Sequence, residues 1–230
     1  MRIVTYRQPI EHQRPKRRFK LVPLIVAINI VVFILWTTTA TPRAENLMKM
    51  NFLVSALHLQ LGLWWTAITS VFSHNMVWHL FLNMFVLVSF GTIMEKVMGR
   101  RSFMFFYLLA GIISSLSHCF VSTYFLDNPA LPALGASGAI AGVLLVFSLV
   151  FPRQTILVFG LIPVPAIFGA MAFVALDLYG LFKQTQGGGL PIGHGAHLGG
   201  AFTGILYYFF YLRGHLRRRI MAQLARGELQ

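Results

Sequence analysis

Six apolar stretches, parted by short polar or basic joints, divide the chain. They run over Leu21–Trp36, about Met76–Met94, Phe103–Phe125, Ser137–Phe151, about Pro163–Phe182 and about His194–Leu212. A helix crosses a bilayer with about 20 apolar residues and satisfies its own backbone, so the pattern predicts six transmembrane helices in an all-α membrane protein. Pro163 and Pro165 suit the first turn of the fifth. The fourth is shortened: as a helix it spans about 22 Å against a core of about 30 Å. Its upstream connection, residues 127–135, is therefore expected to dip into the membrane. Irregular backbone at that depth requires protein or a water-filled cavity around it. The expected result is a wet depression open to the outside, with Ser137 on a helix N-terminus at its floor. The segment Thr41–Trp65 is apolar but too broken to span, and belongs in the outer interface.

Composition strengthens this reading. Hydrophobic residues make up 57%, charged residues only 11%, and mean hydropathy is +0.70. Such a balance points to lipid as the solvent. The net charge of +13 would suit nucleic acid, but the basic residues lie in short runs between apolar stretches, as membrane anchors do. No nucleic-acid partner is expected. Sixteen of the 19 Lys and Arg fall on one side of the predicted topology, against Arg43, Lys49 and Lys183 on the other. The positive-inside rule then puts both termini in the cytoplasm, in agreement with an even number of spans. A basic arm over residues 1–20, a membrane domain over 21–212 and a basic tail over 213–230 follow. The basic arm and first apolar stretch also resemble a signal peptide, but the apolar run is longer than a usual one, which favours an uncleaved span. Cys119 is the sole cysteine, and no Cys/His spacing suggests a metal, so neither metal nor cofactor is expected.

Polar groups inside a membrane are costly and are candidates for function. Counted from the cytoplasmic anchors at 1.5 Å per residue, Ser137 and His197 each lie about 24 Å from the inner face, His79 about 25 Å and Asn83 about 20 Å. Asp177, on a span running the other way, lies about 21 Å beyond Pro163. Three helices thus bring a serine, a histidine and a His/Asn pair to one layer. His79 and Asn83, four residues apart, share a helix face. Packing alone explains each polar residue singly but not the shared depth. Gly138-x-x-x-Gly142 and Gly200-x-x-x-Gly204 permit close approach of spans four and six. His58, His118, His194 and His215 read as interfacial or structural, and Asp177 as leaning to structure.

Gly135-Ala136-Ser137-Gly138, Ala196-His197-Leu198-Gly199 and His74-x4-His79-x3-Asn83, with Glu95-Lys96, Phe151-Pro152-Arg153, Ile162-Pro163-Val164-Pro165 and Asp177-Leu178-Tyr179-Gly180, resemble the rhomboid family of intramembrane serine proteases, in its bacterial form. The resemblance covers about residues 21–212. It implies a six-span rhomboid bundle in a bacterial plasma membrane that cleaves transmembrane-helix substrates near the outer face. It implies Ser137 as nucleophile and His197 as general base, with His79, Asn83 and the Ser137 N–H holding the oxyanion. Gly135, Gly138 and Gly199 support them, and His74 braces the outer end of span two. No acidic third member is required by the family. Two positions depart from the pattern. Trp65-Thr66 replaces Trp-Arg in the first outer loop, and Ala141 stands where some relatives stack an aromatic on the imidazole, so either another group orients His197 or it is held more loosely. A non-catalytic client-binding relative would lack the serine or histidine. A transporter would show a repeat and a second broken helix, and neither is found.

Overall fold

The computed structural model describes residues 20–158 and 161–225. The expected basic arm lies outside these residues except for Lys20, as does the end of the tail. Helix α1 (Leu21–Thr37) carries no charge, and its opening N–H groups are capped from afar. Leu21 N and Val22 N donate to the two carboxylate oxygens of Glu95, at 2.8 and 3.0 Å. Helices α2 (Pro42–Phe52) and α3 (Ala56–Gln60) are started by Thr41 and Ser55, whose hydroxyls accept from Ala44 N and His58 N. Helix α4 (Thr66–Thr69) runs into a 3₁₀ turn, Ser70–Phe72. Helix α5 (Val77–Val86) continues through a π-helical turn, Leu87–Gly91, into α6 (Thr92–Met98). There follow α7 (Arg100–Tyr124), α8 (Ser137–Val150) and α9 (Ala166–Thr185). Helix α10 (His194–Tyr207) passes through a π-helical turn, Tyr208–Leu212, into α11 (Arg213–Ala225).

Among the described residues, three continuous helices are long and apolar enough to cross a membrane: Val77–Met98, Arg100–Tyr124 and Ala166–Thr185. Leu21–Thr37 and Ser137–Val150 are apolar but shorter. Large apolar side chains face outward along these helices, among them Trp78, Phe81, Phe85, Phe105, Phe120 and Phe168. The inner face of α7 buries Phe103, Phe106 and Tyr107 in its first half, but from Gly111 onward it presents mostly small and polar groups: Gly111, Ser114, Ser115, His118 and Ser122. This is the reverse of a water-soluble helix and suits an apolar solvent.

The all-α expectation needs one correction. Strands β1 (Thr155–Val158) and β2 (Ile162–Pro165) form an antiparallel hairpin before α9, so Pro163 and Pro165 lie in a strand and not in the first helical turn. Ala166 N donates to Gln154 O at 2.8 Å, which fixes the alternation: Val164 and Ile162 face β1 with their hydrogen-bonding groups. The two prolines fall on the outward-facing positions, where a missing N–H costs the ladder nothing.

Helix α10 is packed between α8 and α7. A Cβ on Gly200 would overlap the carbonyl of Gly138, and one on Gly204 would come within 2.6 Å of Gly142 O. Bare backbone on both helices is what lets α8 and α10 meet. The connection over residues 127–135 is irregular but satisfied by protein. Val54 and Ala133 exchange two hydrogen bonds (2.9 and 2.8 Å), Leu57 N donates to Pro129 O (3.0 Å), and Gly135 N donates to Ser70 O (2.9 Å). The outer segment, without the arginine of the family pattern, is anchored by these bonds. Trp65 Nε1 donating to Asn51 Oδ1 at 3.1 Å and the buried Thr66 hydroxyl donating to Leu63 O at 2.6 Å complete the anchorage.

Candidate active site

Ser137 is the first residue of α8, where helix N–H groups have no partner in the preceding turn and the positive end of the helix dipole lies. Its Oγ sits 2.9 Å from His197 Nε2, on the first turn of α10. Ser137 and His197 are both half-buried, whereas their neighbours Ala136, Gly138 and Gly199 are buried. The pair therefore keeps some access from outside the protein while its surroundings are packed. Gly138 packs against Ser114 of α7 and Ala196 O of α10, and Gly199 against Ser117 and Ile113 O of α7.

His79 and Asn83 share the inner face of α5, as their spacing predicts. Asn83 Nδ2 donates to His79 O at 2.8 Å, which uses one of its two N–H groups. The His79 ring lies over Gly135, where a Cβ would come within 2.6 Å of it. Gly135 also has φ 122, a backbone conformation that side chains avoid. The glycine two residues before Ser137 is thus required twice, by its backbone and by the imidazole above it. His74 lies in the turn before α5, fully buried, packs edge-on to His79 (4.8 Å) and accepts from Ala136 N at 3.5 Å. It thus touches both the first turn of α5, through His79, and the start of α8, through Ala136.

Two residues read as structural belong to the site. Asp177 of α9 is buried, and its Oδ1 lies 3.0 Å from His197 Nδ1 and 2.6 Å from His194 Nδ1. A carboxylate oxygen only accepts, so both rings offer it an Nδ1–H. That tautomer leaves His197 Nε2 to accept from the Ser137 hydroxyl. Phe173, one turn before Asp177, places its ring 5.6 Å from the His197 imidazole. It fills the orienting role that Ala141 cannot. Asp177 carried two legible signals, its position in the polar layer and its place in the Asp177-Leu178-Tyr179-Gly180 element; Phe173 carried none.

Chemically, the arrangement offers a hydroxyl, a base that can take its proton and a carboxylate that fixes the base.

Comparison with known sequences agrees in outline. Residues 61–214 match the Rhomboid domain family. Rhomboid protein 1, mitochondrial, of Saccharomyces cerevisiae is 34% identical over 216 residues, covering 91% of this chain and 60% of that protein. RHOMBOID-like protein 12, mitochondrial, of Arabidopsis thaliana is 29% identical over 205 residues, 84% of this chain and 59% of that protein. The human presenilin-associated rhomboid-like protein, mitochondrial, is 33% identical over 189 residues, 80% of this chain and 46% of that protein. The chain spans about half the length of these relatives.

Proposed function

The chain belongs to the rhomboid family, and from that premise we propose that it is an intramembrane serine endopeptidase with Ser137 as nucleophile and His197 as general base. The observation that carries this reading is the 2.9 Å contact between Ser137 Oγ and His197 Nε2, made inside an apolar helical protein. Ser137 Oγ attacks the scissile carbonyl while its proton passes to His197 Nε2. Asp177 holds the ring by Nδ1 and stabilises the imidazolium that forms, so the acid absent from the sixth span is supplied by the fifth. The tetrahedral oxyanion is held by the Ser137 N–H, His79 and the second N–H of Asn83. His197 then gives its proton to the leaving amine, and water releases the acyl group by the same relay.

The bundle crosses the membrane six times, with α8 as the shortened fourth span and both termini on the cytoplasmic side. The bacterial-type motifs favour a plasma membrane, whereas the relatives compared above are named as mitochondrial proteins. Substrates are transmembrane helices that unwind near the outer face, because a continuous helix keeps its carbonyls hydrogen-bonded. Cleavage of a reporter with a helix-breaking transmembrane segment, in proteoliposomes, tests the reading. Ser137→Ala and His197→Ala are each expected to abolish it, and a serine-reactive fluorophosphonate should label wild type but not Ser137→Ala. Cleavage unchanged in both variants refutes it.

A further inference from the structure

Asp177, His194 and His197 gather two imidazoles and a carboxylate, and one donor atom from each lies within 4.8 Å of the others. Nitrogen and carboxylate donors in a set of three, with a fourth position left for water, suit Zn²⁺ and similar borderline ions. Both Nδ1 atoms already converge on Asp177 Oδ1, at 2.6 and 3.0 Å. A tetrahedral ion with bonds of about 2.0–2.1 Å keeps its donors about 3.3 Å apart. The two Nδ1–Oδ1 pairs open by about 0.3–0.7 Å to reach that spacing, and the two imidazole nitrogens, within 4.8 Å of each other, close toward it. A second observation is independent of this spacing. Asp177 is only 5% exposed, and its Oδ2 has no hydrogen-bond partner among the described residues. A dry, unpaired carboxylate oxygen is costly, and coordination would satisfy it.

We propose that Asp177, His194 and His197 form a site for Zn²⁺ or a similar borderline divalent ion, and that its occupation switches the serine off. The ion takes the Nδ1 lone pairs, so each neutral ring moves its one proton from Nδ1 to Nε2. His197 Nε2 then donates toward Ser137 Oγ where before it accepted, and the base is lost. No covalent bond within the protein breaks, nothing is oxidised, and a chelator reverses the step. Mg²⁺ and Ca²⁺, which favour oxygen shells, do not compete. The binding limb stands alone; the inhibition limb rests on the protease reading.

The binding limb is tested with the full chain carrying Ser137→Ala, titrated with Co²⁺ in detergent. Tetrahedral visible absorption saturating near one equivalent and displaced by Zn²⁺ is expected. Asp177→Asn and His194→Gln should each weaken it by at least about tenfold. No such absorption, or absorption that neither substitution weakens, overturns the site. X-ray absorption at the zinc edge of the unsubstituted protein needs no variant to fold. A nitrogen and oxygen shell with two imidazoles supports the site, and a shell with sulfur or without imidazole overturns it. For the inhibition limb, Zn²⁺ should slow fluorophosphonate labelling of wild type by about 100-fold or more, with full recovery on chelation. Labelling unaffected by bound Zn²⁺ overturns that limb. Co²⁺ binding by a wild-type protein that never labels, even metal-free, leaves the site standing and refutes the protease.

Discussion

Asp177→Asn isolates the charge of the carboxylate from its shape. The amide has nearly the same volume and can still turn its oxygen toward His194 Nδ1 and His197 Nδ1, so packing and ring orientation are kept. What disappears is the negative charge facing the imidazolium that forms when Ser137 attacks. An exposed ion pair contributes under about 1 kcal/mol, which would slow the reaction less than about fivefold. This pair is not exposed: the side chains of His197 and Asp177 are 14% and 6% accessible. Hydrogen bonds to charged groups in such surroundings contribute about 1.5–3 kcal/mol, or about 10- to 150-fold in rate. The loss should appear equally in kcat for a transmembrane reporter and in the rate of fluorophosphonate labelling, which does not depend on substrate docking. Asp177→Ala, which removes orientation as well as charge, should fall further. A loss below about threefold in both assays, from Asp177→Asn protein whose melting temperature matches wild type, would show that the acid is a bystander.

Two further substitutions probe how the site is assembled. Gly200→Ala drives a methyl into the Gly138 carbonyl, so α8 and α10 must separate. Thermal stability should drop by about 1–3 kcal/mol and labelling of Ser137 should slow, whereas unchanged melting and labelling would contradict the helix contact. Asn83→Ala should lower kcat by about 100- to 1,000-fold with little change in KM, and an unaltered kcat removes Asn83 from the oxyanion site.

Much of the molecule was legible because one solvent dictates its pattern. Apolar run lengths located the helices, and counting residues from basic anchors brought Ser137 and His197 to one depth. The glycine spacings then indicated which helices touch. Depth is only one coordinate, however. Whether Asp177 meets His197 or faces away depends on the rotation of α9 about its axis, and its apolar sequence has no polar face to set that angle. Phe173 shares the difficulty, being one more aromatic in an apolar helix, four residues from Asp177 and so on the same side. The β-hairpin was hidden because each strand is four residues long and because proline is as acceptable at a helix start as on a strand's outward side.

The carboxylate of Glu95, which caps the opening of α1, lies 74 residues further along the chain than Leu21. During synthesis the first helix is therefore complete long before its cap exists. Until then the N–H groups of Leu21 and Val22 lack that carboxylate and need another acceptor, such as water. When Val77–Met98 arrives, water is exchanged for carboxylate and the two helices are bolted together at one end. Locking of α1 thus waits on one side chain of α6, which is made before α7, α8, α9 and α10.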